Sequence, residues 1–163
     1  MKKTIVDASP LIFIAKAGMI DVLKKVYRAV YITDLINNEI EKPIKMGFKA
    51  PEVEKIKSSH ILRIEKLTAK EIVKAEKIAQ EKNIGKGESE AAILFLKGGF
   101  ENVIVADIKA QKKLKELNVS TLDLVDFGFI AAKRGIMNPR KFALNLWEKA
   151  HYRSERIRNI LGK

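Results

Sequence analysis

No cysteine occurs in the 163 residues, which excludes disulfides, Cys-ligated zinc and thiol catalysis. Histidine is nearly as scarce. His60 and His151 are the only two, too few for a His-rich metal site or a histidine-based triad with any redundancy. Four prolines and nine glycines do not compose a low-complexity linker. Acids are outnumbered, 20 Asp and Glu against 32 Lys and Arg, so the net charge is +12. Long apolar runs are missing as well. Behind Met1-Lys2-Lys3 the apolar stretch is broken by Asp7, Ser9, Pro10 and Lys16, and no convincing cleavage site follows, so the signal-peptide likeness is superficial. No other stretch approaches the roughly 18 apolar residues of a membrane span. These absences predict a cytoplasmic protein.

What is present is 47% hydrophobic residues, more than a disordered chain carries. The length suits a single domain over 1–163 with a full core. The positive charge is uneven. From Lys133 to Lys163 nine Lys or Arg face only Glu148 and Glu155, a net of +7. Such a surface attracts polyanions, nucleic acid above all. A thermophile-type solvated surface is the alternative, in keeping with abundant Lys, Glu and Ile and with glutamine confined to Gln80 and Gln111.

Elements alternate along the chain. Ile5-Val6 reads as the end of a short buried strand, with Asp7 where it stops. Ser9-Pro10 reads as a helix start, Ser9 at the N-cap and Pro10 at the first helical position. Ala29 to Ile32 is a second strand, followed by a helix that carries Leu35, Ile36, Glu39 and Ile40 until Pro43 and Gly47 weaken it. Ile61 to Ile64 is a third strand. Thr68 with Glu71 has the capping-box spacing. Asn83 to Gly87 is a loop, and Glu88 opens the next helix. Val103 to Ala106 is the clearest buried strand and ends at Asp107. Val119 to Thr121 is the last, and Asn138-Pro139 starts a final helix to about Leu161. Strands alternating with helices predict an α/β fold around a parallel sheet covered on both faces.

The acids fall at element boundaries. Asp7 and Asp107 each follow an apolar strand, and ligands bind beyond the carboxyl ends of such strands. Either acid alone is explained as a helix cap or turn residue; two at equivalent positions point to a shared site. Glu88 and Glu90 stand two apart in a helix's first turns, where acids are favoured, and they point roughly 200° apart. Glu39 adjoins a core-facing stripe. Carboxylates brought together repel unless a cation intervenes, and Mg²⁺ or Mn²⁺ suits an all-oxygen set. An acidic, metal-holding pocket in a basic surface is coherent with phosphoryl chemistry on a nucleic acid. Ser9 is explained by capping alone. Thr121 has a hydroxyl able to bond a carboxylate or to shape a turn. Asp123 and Asp126 read as first-turn helix acids. Trp147 and Tyr152, beside Arg153, Arg156 and Arg158, read either as core packing or as stacking platforms for bases.

Four stretches together resemble the PIN-domain ribonucleases, and among them the VapC-like toxins of toxin–antitoxin pairs. They are Ile5-Val6-Asp7-Ala8-Ser9-Pro10-Leu11, Thr33 to Ile40 ending in Glu39-Ile40, Gly87-Glu88-Ser89-Glu90-Ala91-Ala92-Ile93, and Val103 to Ala110 around Asp107. The likeness runs from about residue 3 to Ile136, which marks a core at about 3–136 and leaves a basic C-terminal helix at about 138–161. The resemblance implies a three-layer α/β/α fold with a central parallel sheet, and divalent-metal-dependent cleavage of RNA. It implies that Asp7, Glu39, Asp107 and Glu88 or Glu90 hold one or two Mg²⁺ or Mn²⁺ ions and act as the catalytic set. The wider family's register favours Glu90, and the subgroup's Gly-Glu pair favours Glu88. Ser9 would support a ligand or water at the metal. The resemblance also implies homodimers and a small antitoxin partner. One departure is plain: many relatives carry a further acid or Asn shortly after the fourth motif's Asp, where this chain has Ile108 and Lys109. That departure keeps a second reading open, an RNA-binding or scaffolding domain of weak or no activity. A receiver-like phosphoacceptor would need an adjacent acidic pair after the first strand, and Asp7 stands alone.

Overall fold

The computed structural model describes residues 3–163; Met1 and Lys2, where the basic amino terminus and the predicted domain range begin, lie outside them. The sheet has five parallel strands in the order β3-β2-β1-β4-β5. They are β1 (Thr4–Val6), β2 (Val30–Ile32), β3 (Leu62–Ile64), β4 (Asn102–Ile104) and β5 (Thr121–Leu122). Every residue of β1 and β4 is buried, as expected of central strands covered on both faces. Their register pairs Ile5 with Val103 and Val6 with Ile104.

Among the described residues ten helices connect and cover the strands. They are α1 (Ala8–Lys16), α2 (Ile20–Tyr27), α3 (Asp34–Lys45), α4 (Pro51–Ser58), α5 (Ala69–Lys82), α6 (Lys86–Leu96), α7 (Ile108–Glu116), α8 (Leu124–Lys133), α9 (Pro139–Lys149) and α10 (Glu155–Leu161). The predicted α/β architecture is present, a parallel sheet flanked by helices. The chain builds outward from β1 to β3 on one side, then crosses α5 and α6 to begin the other side with β4. The strand order therefore reverses between β1 and β4, and a crevice opens beyond their carboxyl ends, where such sheets bind ligands. One contiguous buried cluster extends from Ile5 to Leu161.

Local chemistry explains the helix starts. Thr33 accepts the Ile36 N–H at 3.3 Å, and Thr68 and Glu71 form their predicted reciprocal cap. Two predicted boundaries are corrected. Ser9 is not the N-cap of the first helix: Asp7 holds that position, so Ser9 and Pro10 sit inside the first turn of α1. Pro10 is tolerated there because N–H groups of a first turn have no intrahelical acceptor. The C-terminal region is not one helix but two. The chain breaks after Lys149, His151 adopts a left-handed φ of 54°, and Ser154 caps α10 by accepting the Ile157 N–H at 3.2 Å.

Candidate active site

A cleft of about 440 Å³ lies over the carboxyl ends of β1 and β4. Four carboxylates from four separate segments line it: Asp7, Glu39, Glu88 and Asp107. Each is placed by a local rule. Asp7 follows β1 at the head of α1, and its N–H donates to the Ile104 carbonyl at 3.1 Å, which ties it to the neighbouring strand. Its side chain makes no capping bond across the helix end. Asp107 caps α7 by accepting the Lys109 N–H at 3.0 Å. Glu88, in the first turn of α6, accepts the Gly85 N–H at 2.8 Å. Glu39 reaches across from α3 and lays its carboxylate against Gly87. A Cβ at Gly87 would stand 2.8 and 2.9 Å from the two Glu39 oxygens.

The acids raise one another's proton affinity. Burial pushes Asp7 from 3.8 to about 7, with the Glu88 and Glu39 charges acting in the same direction against one backbone hydrogen bond from Ala8. Burial raises Glu39, aided by Glu88 and Glu90, and Lys42 opposes it. Burial raises Glu88 too, and the Asp107 charge adds to it, against the Gly85 bond. Such a set is short of positive charge and rich in hard oxygen donors, the environment that suits Mg²⁺ or Mn²⁺. Among the described residues no three Asp, Glu or His side chains stand close enough to grip one ion directly. The cleft leaves room for the water that Mg²⁺ characteristically keeps in its shell. By charge, donor type and space the residues fit a hydrated divalent cation.

The two candidates in the third motif separate. Glu88 lines the cleft. Glu90 is buried and lies beside Thr33, whose side chain hydrogen-bonds it, with Asp34 and Glu76 as its charged neighbours. Its charge reaches the cleft by raising Glu39. Ser9 is exposed on the cleft wall. Thr121 is not there. It sits within β5 opposite Val103, and among the described residues its buried hydroxyl bonds no carboxylate or other partner.

The opposite wall is aromatic. Phe13 of α1 packs on Tyr152 with ring centroids 4.8 Å apart, and the Tyr152 hydroxyl donates to the Ala106 carbonyl at 3.1 Å. Tyr152 comes from the turn between α9 and α10, so the basic tail is built into the site. Arg156 anchors that tail, donating to Asp123 at 2.7 Å and to Asp126 at 2.9 Å. The predicted first-turn acids are thus reciprocal caps of α8 that also hold α10. Trp147 lies under three cations, Arg153, Arg158 and Lys163, at 4.8, 5.1 and 5.5 Å from the ring centre, a cation–π arrangement. Sequence reasoning places Gly87 only at a loop end and as the first residue of the third motif, without its role as the bed for Glu39; Phe13 escaped sequence reasoning, and nothing local marks it.

No helix among the described residues is long and apolar enough to cross a membrane. A family model described as a PIN domain matches residues 3–161. The crystal structure of PAE2754 from Pyrobaculum aerophilum superposes with a TM-score of 0.57 at 16% identity, covering 83% of this chain and 98% of that one. At that identity the likeness shows the fold. No curated protein matches the chain.

Proposed function

Because the chain belongs to the PIN-domain family, whose members are in general nucleases acting on RNA with divalent metals, we propose that it is a divalent-metal-dependent endoribonuclease. The observation that carries this reading is the meeting of Asp7, Glu39, Glu88 and Asp107 on one cleft at the switch point of the sheet. Water adds across one P–O ester bond, leaving a phosphate on one fragment and a hydroxyl on the other. Asp7, Glu39, Glu88 and Asp107 would hold Mg²⁺ or Mn²⁺, as one ion or two. A bound ion supplies charge to the phosphoryl oxygens and makes water more acidic. The chain's own residues do the rest. Burial pushes the Asp7 carboxyl up to about 7 in the free protein, so a cation entering the cleft would compete with a proton for it. Ser9 offers a hydroxyl at the rim. Phe13 and Tyr152 form a dry wall that limits how a strand can lie over the acids, and positioning of this kind supplies much of phosphoryl-transfer catalysis.

The same reading extends to a VapC-like toxin neutralised by a small antitoxin and acting as a homodimer. The open, carboxylate-lined cleft in a protein of net charge +12 supports it, since a basic segment of an antitoxin would complement those acids. A second reading, an RNA-binding domain of weak activity, is favoured by Ile108 and Lys109 standing directly after Asp107. Cleavage of a single-stranded RNA in Mn²⁺ separates the two. The wild-type chain is expected to cut it, and an Asp7→Asn/Asp107→Asn double variant is not. Equal activity in both proteins removes the nuclease proposal.

A further inference from the structure

Beside the acidic cleft lies a second cavity of about 330 Å³. The two share a wall, since Gly85, Glu88 and Asp107 line both. Past that wall the chemistry inverts. The second cavity is lined by Lys109 and Lys113 of α7, with Asn83 at the end of α5 facing them. Four residues apart on one helix, the two lysines stand one turn above each other on the same face. Among the described residues neither forms an ion pair within 4.0 Å, although nearby Lys82 is paired with Glu116 at 3.1 Å. Two like charges so placed repel, and the acids lining this cavity, Glu88 and Asp107, stand on the wall it shares with the cleft. Asn83 holds a left-handed φ of 54° at the helix end, which turns the chain back and leaves an exposed amide over the cavity.

We propose that this lysine-lined lobe is a phosphate subsite: Lys109 and Lys113 take the backbone phosphate next to the one held over the acidic cleft. The inference rests on the nuclease reading for its substrate, RNA, and adds where the strand goes. A phosphodiester strand crossing the cleft meets four carboxylates, and it gains from a cationic exit directly at their edge. The opposite wall, Phe13 and Tyr152, offers rings, so the strand's phosphates turn toward α7. Lysine is a point-charge binder that tolerates many strand geometries. The subsite therefore adds affinity without reading sequence.

The test compares Lys109→Gln/Lys113→Gln with a charge-matched control, Lys25→Gln/Lys70→Gln, which removes two exposed lysines elsewhere. Binding of a fluorescein-labelled single-stranded oligoribonucleotide is followed by anisotropy in Ca²⁺ across a salt series, and cleavage is followed separately in Mn²⁺. The Lys109/Lys113 variant is expected to bind about tenfold more weakly than the control. Its plot of log affinity against log salt should be shallower by about 0.7–1.4, the slope of one to two lost phosphate contacts on a single strand. In cleavage, KM should rise while the saturated rate stays near wild type, the sign of lost uniform binding. Affinity and salt slope equal to the control's overturn the subsite. Cleavage absent from all three proteins, with the affinity difference intact, sinks the nuclease reading and leaves the subsite standing.

Discussion

Replacing Gly87 by alanine should make the protein more stable and less active. Gly87 lies in the first turn of α6 with ordinary helical backbone, so alanine fits the chain there. Removing a glycine from a helix gains about 0.5–1 kcal/mol, mostly by restricting the unfolded chain. At about 2–4 °C per kcal/mol for a chain of this size, the melting temperature should rise by about 1–4 °C. The new methyl group, however, would stand 2.8 and 2.9 Å from the Glu39 oxygens and 3.2 Å from its Cδ, where ordinary contact begins at 3.4 Å. The contact is with the far end of a flexible side chain, so Glu39 yields rather than the backbone. It must retreat by about 0.6 Å, several times the roughly 0.2 Å tolerance of a metal–ligand distance. Misplacement by 1 Å costs on the order of 100-fold in rate, so a loss of about tenfold is expected. Calorimetric melting and cleavage of a 5′-labelled RNA in Mn²⁺ measure the two effects. In a Glu39→Ala background, adding Gly87→Ala should cost nothing further, the mark of one pathway. A Gly87→Ala protein that cuts as fast as wild type would refute the placement of Glu39 in the working site.

Gly128 gives the opposite result. A Cβ there would meet Phe142 Cδ1 at 2.6 Å and Cε1 at 3.0 Å, and Phe142 is fully buried against Phe127. The ring cannot retreat, so Gly128→Ala should cost about 1–3 kcal/mol, seen as a lower urea midpoint with cleavage by the folded protein unchanged. Asp7 links stability to pH. In the metal-free protein it binds its proton with a pKa of about 7 against 3.8 when unfolded. Below about pH 4 both states hold the proton and burial carries no charge. As pH rises toward 7 the folded state loses that advantage, at most about 4 kcal/mol in all. Asp7→Asn should therefore melt higher than wild type at pH 8 in EDTA, match it at pH 4, and lose Mn²⁺ binding by calorimetry. A variant that melts lower than wild type at pH 8 would contradict burial as the source of the shift.

Asp7 and Asp107 were legible because each ends a buried apolar run, Ile5-Val6 and Val103 to Ala106, and central parallel strands are apolar on both faces. Strand limits moved by a residue or two because those runs continue into the turn beyond the ladder. Ser9-Pro10 carried a convincing helix-start signal. Yet the chain turns from β1 into α1 with no linking residue but Asp7, so the helix begins sooner and Asp7 takes the cap position. Glu88 and Glu90 could not be told apart from spacing, since their directions depend on how α6 is rotated against α3 and α5. The break after Lys149 has no glycine to announce it. It depends on contacts far along the chain, Tyr152 with Ala106 and Arg156 with Asp123. Gly87 matters only because Glu39 comes to rest on it, which no local pattern encodes.

The position of Tyr152 imposes an order on assembly. During synthesis all four carboxylates of the cleft have emerged once Asp107 is made, and the sheet can close with β5. The wall opposite them, begun by Phe13, is completed only with Tyr152, and the ionic anchor behind it comes only with Arg156. A nascent chain thus passes through a stage in which the acids are present, mutually repelling and open on one side. The centre becomes a bounded cleft only when the chain through Tyr152 and Arg156 has left the ribosome. Removing the chain from Tyr152 onward would return the finished protein to that earlier stage, with Asp123 and Asp126 stripped of their cation.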